Sequence, residues 1–366
     1  MEFEAAALFA PGEELRLVRV AASALRPDEV LVRMVASGIC HTDLTVQHGG
    51  YPTALPIILG HEGSGLVEQV GSEVTGLEAG DPVAISFMSC GRCTTCSAGR
   101  PAYCCSFGAL NISGFRNDGS TGLSVGDAGI GGHFFGQSSF ARYSIANRRN
   151  VVKVRADAPL EMIGPFGCGI QTGAGAMFNA LRPAPGLSCI IFGAGGVGLS
   201  AVMAARVLQC DPIVIVEPRA MRRRLALDLG ASLALDPVEG GDLSVRLAEA
   251  TGGGAEVIVD TTGMSSIVSM AISALSRGGK LGLVGMHDME AKAEFAILEL
   301  IGKGASVQGI VEGDSDPQLF IPYLVDLFMD GRFPVDRLMT FFKFEDINEA
   351  IAAQASGSVI KAVLRF

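Results

Sequence analysis

The chain is poor in basic charge. It has 366 residues, of which 28 are Lys or Arg and 38 are Asp or Glu, so its formal net charge is −10. Proteins that bind nucleic acid neutralise phosphates with clustered Lys and Arg, and this balance therefore argues against a nucleic-acid partner. The one basic cluster, residues 222–224, is interpreted as a solvated helix face.

The N-terminus lacks the features of a secretory signal. The segment MEFEAAALFAPGEEL has acidic residues and an early Pro-Gly where a signal peptide has basic charge followed by an apolar run. The chain also has no charged residue between Arg182 and Arg206, and this stretch is long enough to span a membrane. Two prolines and five glycines interrupt it, so it is interpreted as turn, buried strand, glycine turn and helix. We expect a soluble, cytoplasmic protein without a membrane partner.

Composition indicates a globular chain with metal ligands among its cysteines. Hydrophobic residues make up 49% and charged residues 18%, which excludes intrinsic disorder. The length favours two domains over one. The nine cysteines cannot all pair, and intracellular cysteines normally stay reduced. Clustered ones therefore indicate metal sites.

Residues 38–62, GICHTDLTVQHGGYPTALPIILGHE, carry the first candidate site. Catalytic zinc uses about three protein ligands and an open position. Cys40 and His61 can supply two ligands, and Asp43 and Glu62 are carboxylates close to them in sequence. Cys168, in the glycine-rich segment 164–175, is the candidate third ligand. The alternative is that these thiols are buried and pack as small hydrophobic groups.

A second cluster follows the CxxCxxC spacing with one further cysteine. Its members are Cys90, Cys93, Cys96 and Cys104. Four thiolates close a tetrahedron around Zn²⁺ and leave no position for a substrate, so this site is predicted to be structural. An iron–sulfur cluster and unligated thiols are the alternatives.

The two halves of the chain have different patterns. Residues 5–36 and 57–86 have short apolar runs separated by turn residues and glycines, which is typical of a barrel-like β domain. Later, a strand at residues 189–192 precedes a glycine turn, a helix to about Leu208 and a strand at 213–216. This is the fingerprint of a dinucleotide-binding unit. The turn consists of Gly193, Ala194, Gly195, Gly196, Val197 and Gly198.

Glu217, at the end of the second strand, predicts the cofactor. An acid here accepts hydrogen bonds from the adenosine ribose and repels a 2′-phosphate, which favours NAD over NADP. Arg219, two residues later, is the residue that argues for NADP instead. Alternating strands and helices follow, so we expect an α/β fold with a doubly wound parallel sheet. The predicted domains are a catalytic zinc-binding domain over 1–169, with the metal lobe at 90–104, a nucleotide-binding Rossmann domain over 170–311, and a return to the first domain over 312–366.

Taken together, the chain resembles zinc-dependent alcohol dehydrogenases of the medium-chain dehydrogenase/reductase superfamily over essentially its whole length. The motifs that carry this resemblance are GICHTD, GHEGSG, CxxCxxCx7C, GCGIQTGAG and GAGGVG, in that order. GHFFGQSSFA, VEGDSDP and VIKAVLRF look closest to the bacterial aryl- or benzyl-alcohol dehydrogenase branch. The resemblance implies a GroES-like catalytic domain beside the Rossmann domain, two zinc ions per chain and a homo-oligomer, either dimer or tetramer.

Residue roles follow from the same resemblance. Cys40, His61 and Cys168 are implied to bind the catalytic zinc, with water or alcohol in the fourth position. Asp43 is implied to orient the zinc histidine, and Glu62 to lie behind the metal.

Further positions match cofactor contacts. His41 and Lys361 correspond to residues that contact the pyrophosphate. Thr172, Val197 and Val284 correspond to residues beside the nicotinamide.

The expected reaction interconverts a primary alcohol and its aldehyde, with Thr42 carrying the alcohol proton. Many relatives end the proton relay at a histidine five residues after the first zinc cysteine, whereas this chain has Thr45 there. Exit through water and exit through His48 both remain open.

The apolar side chains near the predicted site suit an aromatic or allylic alcohol. Phe87 and Phe140 match the walls of the substrate pocket in the resemblance, and Phe134 and Phe135 lie close in sequence. An unbranched aliphatic alcohol is the alternative substrate. The rival functions are a non-catalytic zinc and nucleotide-binding protein, a zinc-ribbon nucleic-acid binder and a zinc-independent reductase of the same superfamily.

Overall fold

The computed structural model describes residues 1–366, with consecutive strands in the N-terminal part and alternating strands and helices from β11 onward. The strands are β1 (Glu2–Leu8), β2 (Arg16–Ala22), β3 (Glu29–Gly38), β4 (Ile57–Ile58), β5 (Glu62–Val70), β6 (Pro82–Ile85), β7 (Leu123–Val125), β8 (Ala128–Ile130), β9 (Tyr143–Asn147), β10 (Val151–Lys153), β11 (Cys189–Phe192), β12 (Ile213–Val216), β13 (Leu233–Leu235), β14 (Ala255–Asp260), β15 (Leu275–Leu283), β16 (Ser306–Gly309), β17 (Met339–Lys343) and β18 (Lys361–Arg365). The α-helices are α1 (His41–Gln47), α2 (Thr94–Ser97), α3 (Phe107–Asn111), α4 (Leu160–Ile163), α5 (Gly169–Gly175), α6 (Gly196–Val207), α7 (Ala220–Leu229), α8 (Leu243–Ala250), α9 (Ser265–Ser273), α10 (Ile297–Lys303), α11 (Pro317–Met329) and α12 (Ile347–Ser356).

The first of two units is rich in β-structure. It comprises Met1–Gly169, Asp316–Asp330 and Val335–Phe366. One sheet has the strand order β4-β1-β2-β7-β8, and the other has the order β10-β6-β5-β3-β18-β17 with β9 paired to β3. All pairs in these sheets are antiparallel except β17 with β18. The C-terminal strand β18 therefore joins the N-terminal half through β3.

Strand register in this unit brings distant residues together. β3 pairs with β5 so that Gly38 lies opposite Glu62. The segment that follows β3 and the segment that precedes β5 therefore meet. A third segment, residues 164–167, lies against β5 and its neighbour β6, because a Cβ on Gly164 would be 2.3 Å from the Glu62 carbonyl oxygen and one on Gly167 2.2 Å from the Ile85 carbonyl oxygen. Only glycine permits that approach.

The second unit contains the parallel sheet. It comprises Ile170–Ser315 and Gly331–Pro334. The nucleotide-binding domain was predicted to end at residue 311, and the main segment of this unit ends four residues later. Its strand order is β13-β12-β11-β14-β15-β16. Strands β11 and β12, CIIF and IVIV, are buried along their whole length, as in sheets covered on both faces. The predicted α/β class, with a doubly wound parallel sheet, is confirmed.

The basic cluster on α7 is not a wholly solvated face, and that prediction is wrong in part. Arg224 is exposed, whereas Arg222 and Arg223 are half-buried. Arg223 pairs with Asp236 at 2.7 Å and donates to the Glu217 carbonyl oxygen. None of the helices has the length and apolar composition that crossing a bilayer requires.

Candidate active site

Three potential metal ligands from separate segments of the first unit converge. The Sγ atoms of Cys40 and Cys168 lie 4.0 Å apart, and the ligand atoms of Cys40, His61 and Cys168 all lie within 4.8 Å of one another. Two thiolates each about 2.3 Å from a tetrahedral zinc would be about 3.8 Å apart. Nε2 of His61 is buried without a hydrogen-bond partner. A buried acceptor beside two thiols is what zinc would satisfy, so the residues fit the ion.

Asp43 ties two of these ligands together. Its Oδ1 accepts hydrogen bonds from Nδ1 of His61 at 2.9 Å and from the Gly60 amide at 3.0 Å. Its Oδ2 accepts from the Cys40 amide at 2.9 Å. With its proton on Nδ1, the imidazole presents Nε2 as a lone pair for the metal. One carboxylate therefore orients the histidine and the backbone of the cysteine.

Charge within the cluster favours the deprotonated thiol. The hydrogen bond from Cys168 is the main cause that holds the pKa of Cys40 well below its ordinary value, and the charge of His61 contributes while burial opposes it. Burial alone would lower the pKa of His61, but the negative charges of Asp43 and Cys40 raise it well above its ordinary value. The thiolate is the form that binds metal.

Glu62 and Lys361 form a buried pair beside this cluster. The Lys361 ammonium donates to both Glu62 oxygens at 2.8 and 2.9 Å and to the Ile39 carbonyl at 3.0 Å. Burial raises the pKa of Glu62 to about 7, with Lys361 opposing. Burial alone would lower the pKa of Lys361, but the negative charge of Glu62 raises it above its ordinary value. The Lys361 ammonium is therefore bonded to Glu62. A contact between Lys361 and the pyrophosphate stays a prediction.

Thr42 lies in the first turn of α1, which begins directly after Cys40. Its Oγ1 is 3.8 Å from Cys40 Sγ, and the residue is 9% exposed. Thr45, at the position where relatives end a relay, donates its hydroxyl to the His41 carbonyl at 3.0 Å. His48 is exposed, with Nδ1 2.7 Å from the Leu44 carbonyl oxygen.

Phenylalanine rings surround the histidine ligand. Phe135 stacks on His61 with ring centroids 4.3 Å apart, and Phe134 meets it edge-on at 5.5 Å. Phe87 contacts Phe107 at 5.7 Å, and Phe107 contacts Phe135 at 6.2 Å. The predicted pocket residue Phe87 therefore belongs to this aromatic group.

Phe140, the other predicted pocket wall, is placed differently. It is fully buried and makes no ring–ring contact. Its ring covers Gly60, where an added Cβ would be 2.5 Å from Phe140 Cδ1. Phe140 thus packs against the backbone that precedes His61, and its role as a pocket wall stays a prediction.

Gln137 is a site residue that the sequence did not indicate. It is fully buried, and its Nε2 donates to the carbonyls of His61 at 2.9 Å and Ser86 at 3.2 Å. Its Oε1 accepts from the Gly63 amide at 3.1 Å. The side chain therefore fixes the backbone on both sides of Glu62. The sequence marks Gln137 only as a single glutamine among phenylalanines and serines in residues 134–140, which does not indicate its role.

The four remaining clustered cysteines also converge. The ligand atoms of Cys90, Cys93, Cys96 and Cys104 lie within 4.8 Å of one another, with Cys90 and Cys96 sulfurs 4.0 Å apart. Cys104 Sγ accepts hydrogen bonds from the amides of Cys90 at 3.2 Å and Ser106 at 3.4 Å. Four sulfurs placed in this way fit a closed zinc site.

The glycine turn in the second unit fits a dinucleotide. Gly193 has φ +91°, and a Cβ on Gly198 would be 1.8 Å from the Gly193 carbonyl oxygen. At Gly195, directly before α6, a Cβ would meet no atom within 4 Å. Open space at the N-terminus of a helix of 12 residues suits a pyrophosphate. Gly196 and Val197 begin that helix and are half-exposed.

The other predicted cofactor residues are variously placed. Glu217 is 4% exposed, and its oxygens accept from the amides of Ala194 at 2.8 Å and Arg219 at 3.0 Å. Thr172 and Val284 are half-exposed in the second unit, and His41 is exposed in the first. The Glu217 carboxylate therefore stabilises the glycine turn through the Ala194 amide, in addition to any contact with a ribose.

Two family models match this sequence. The alcohol dehydrogenase GroES-like domain matches residues 26–156, and the zinc-binding dehydrogenase domain matches residues 196–328. The chain is 48% identical to geraniol dehydrogenase from Castellaniella defragrans over 364 residues, covering 99% of this chain and 97% of that protein.

Solved structures agree with this assignment. An alcohol dehydrogenase zinc-binding domain protein from Burkholderia ambifaria superimposes with a TM-score of 0.98 at 46% identity, covering 100% of this chain and 99% of the other. Benzyl alcohol dehydrogenase from Acinetobacter calcoaceticus gives 0.97 at 40% identity with the same coverage. The expected GroES-like and Rossmann pairing is confirmed.

Proposed function

We propose that this chain, which belongs to the zinc-dependent alcohol dehydrogenases of the medium-chain dehydrogenase/reductase superfamily, interconverts a primary aromatic or allylic alcohol and its aldehyde with NAD as hydride acceptor. The observation that carries the proposal is the convergence of Cys40, His61 and Cys168 beside a group of phenylalanine rings. Three ligands leave a fourth zinc position open, as catalysis requires.

Cys40, His61 and Cys168 would hold the catalytic zinc, and the second cysteine cluster would hold a structural one. Zinc supplies Lewis-acid polarisation of the substrate oxygen, which lowers the pKa of the hydroxyl. NAD supplies the hydride acceptor. Asp43 holds the His61 ring in the orientation that presents Nε2.

Thr42 receives the proton of the alcohol at Oγ1, because it follows the cysteine ligand by two residues and lies 3.8 Å from its sulfur. Beyond Thr42, the hydroxyl of Thr45 is bonded to the His41 carbonyl within α1. That engagement favours exit through water or through the exposed His48.

Substrate choice follows from the rings around His61. A flat ring or a conjugated double bond can stack beside Phe107, which contacts both Phe87 and Phe135. The similarity to a geraniol dehydrogenase and a benzyl alcohol dehydrogenase supports the same class. An unbranched aliphatic alcohol is the second candidate, since the same surface is simply apolar.

Comparing benzyl alcohol, geraniol and hexanol tests the substrate class. Aromatic contacts of about 1 kcal/mol predict that kcat/KM with NAD⁺ is about fivefold higher for benzyl alcohol than for hexanol. Initial rates of NADH formation by the zinc-loaded protein measure this. A preference for hexanol over both other alcohols would establish the aliphatic alternative, and no turnover of any of them would leave a non-catalytic binding protein.

We further propose NAD rather than NADP, because the buried Glu217 carboxylate lies at the end of β12 where a 2′-phosphate would approach. Arg219 donates its amide to that carboxylate, so its backbone is held beside it. The same assay with each cofactor decides the point, and equal kcat/KM with NADP⁺ would refute it.

A homo-oligomer is proposed from the free edge of the parallel sheet. β16 is its last strand and is mostly exposed, and Ile297, Leu298 and Ile301 on α10 are 69%, 81% and 67% exposed. An unpaired strand with an apolar neighbour is suited to pairing with a second copy across a two-fold axis. Sedimentation analysis should give a dimer or tetramer, and charged substitution at Leu298 should shift it toward monomer. A monomer at micromolar concentration would refute the proposal.

A further inference from the structure

The backbone pairing that supports residues 59–60 stops before His61. The amides of residues 139–140 donate to the carbonyls of residues 59–60 at 2.9 and 3.0 Å, with 139 against 60 and 140 against 59. The next amide in this series, that of Ser138, would match the His61 carbonyl, but it donates to the Phe134 carbonyl at 2.9 Å. The backbone of Ser138 is left-handed at this point, with φ +50°. The His61 carbonyl takes its donor from a side chain instead.

That side chain belongs to Gln137. Its Nε2 donates to the His61 carbonyl at 2.9 Å and to the Ser86 carbonyl at 3.2 Å. Gln137 and Ser86 are both fully buried, so these carbonyls depend on protein donors rather than on bulk water. One amide group therefore joins His61 to the residue that directly follows β6.

Ser86 extends this connection toward the third predicted zinc ligand. Its hydroxyl donates to the Gly167 carbonyl at 2.7 Å, and Gly167 directly precedes Cys168. A Cβ on Gly167 would be 2.2 Å from the Ile85 carbonyl oxygen, so the two backbones are in direct contact. A continuous path of buried hydrogen bonds thus runs from His61 through Gln137 and Ser86 to the residue before Cys168.

Three ligands need two connections to keep one geometry. Asp43 provides the first, because it bonds both the Cys40 amide and the His61 ring. Cys168 lies 128 positions from Cys40 in sequence, and the path described above connects its segment to His61. Groups that orient metal ligands from behind contribute to metal affinity, although they do not bind the metal themselves.

We propose that Gln137 and Ser86 are positioning residues that hold His61 and Cys168 in zinc-binding geometry and thereby slow the release of zinc from this site. The inference rests on the proposed zinc-dependent function. Each of the two residues acts through the backbone of a ligand segment, whereas Asp43 acts on the imidazole ring itself. Without either link, the ligands are freer to separate, so zinc leaves this site faster while the four-cysteine site keeps its zinc.

The test measures zinc release from Ser86→Ala and Gln137→Met in the full-length, zinc-loaded protein. Both substitutions remove donors to buried carbonyls without adding a charge. Transfer of zinc to an excess of a chromogenic chelator is followed in time, and the phase that is missing in Cys168→Ser is assigned to the three-ligand site. We expect each substitution to accelerate that phase about tenfold. The phase of the four-cysteine site should stay within about twofold of wild type, because it does not share this network.

Ser200→Ala is the matched control for Ser86→Ala. Ser200 is also fully buried, and its hydroxyl donates to the Ile170 carbonyl at 2.6 Å. Both residues belong to the second unit, which contains neither group of clustered ligands. Ser200→Ala should therefore leave both phases within about twofold of wild type.

Cobalt(II) in the three-ligand site gives a spectroscopic readout, because its visible absorption depends on ligand geometry. The absorption bands should shift in Ser86→Ala and Gln137→Met and stay in place in Ser200→Ala. If Gln137→Met does not fold, Ser86→Ala decides alone, since it removes a single oxygen atom.

A merely structural role would accelerate both phases together and leave the cobalt spectrum unchanged, and that result overturns the inference. Wild-type protein without a phase that depends on Cys168 refutes the proposed function itself. Wild-type protein with that phase, unchanged in Ser86→Ala, refutes only the positioning role.

Discussion

Replacing Cys168 by Ser should lower kcat/KM for the alcohol by roughly a thousandfold or more, since loss of a direct zinc ligand must exceed the 10–100-fold effects seen for groups that only orient ligands. A serine hydroxyl does not ionise as the thiol does, and it cannot replace a thiolate 4.0 Å from Cys40 Sγ. Initial rates with NAD⁺ and benzyl alcohol measure the effect. The structural cluster lies at Cys90–Cys104 and should be undisturbed, so the thermal midpoint of that variant should change little.

Cys105 provides a matched control, because it undergoes the same chemical change outside both ligand groups. It is exposed and adjoins the structural cluster without belonging to it. Cys105→Ser should therefore retain activity within about twofold, as surface changes usually do. If Cys168→Ser kept more than about a tenth of wild-type activity, the proposed metal centre would not be the site of the reaction.

Removing the hydroxyl of Thr42 should have the second largest effect. Positioned proton transfer contributes about 10²- to 10⁴-fold, so Thr42→Ala should reduce kcat by at least about a hundredfold. Thr42→Ser keeps an Oγ at the same position of α1 and should stay within about tenfold of wild type. Zinc content should be unchanged in both, since Thr42 is not among the clustered ligand residues.

Rates at several pH values give the readout. Equal activity of wild type and Thr42→Ala, with zinc retained, would remove this residue from the mechanism. His48→Ala then distinguishes the two exits: loss of activity indicates a relay through the exposed imidazole, and full activity indicates exit through water.

The three converging residues could be chosen from the sequence because the information that marks them is local. Cys40, His61 and Cys168 each stand in a short motif, and the pairing of Gly38 with Glu62 in the two strands brings the first two together. The sequence did not predict the Gln137 side chain that bonds the His61 carbonyl. That contact joins residues 76 positions apart and depends on the path of the chain between them.

The aromatic residues show the same limit. Phe134, Phe135 and Phe140 lie in one segment, and their spacing does not say which rings face the metal ligands. A left-handed backbone at Phe135, φ +51°, turns its ring onto His61, while Phe140 lies over Gly60. Such a reversal at a non-glycine residue has no reliable signal in sequence.

Element boundaries followed the strength of the local pattern. The fully apolar run at Ile213–Val216 forms a strand where the sequence placed it, and α11 begins at Pro317 directly after Asp316, whose side chain caps it. β16 ends at Gly309, although the apolar residues Ile310 and Val311 follow it directly. The left-handed turn that begins at Glu312 redirects the chain there.

Counting zinc in the purified protein tests the central claim most directly. Two separate groups of ligand atoms, one of three residues and one of four, predict about two zinc ions per chain in wild type and about one in Cys168→Ser. A single zinc in wild type, or a content that Cys168→Ser leaves unchanged, would contradict the assignment of Cys40, His61 and Cys168 to one metal.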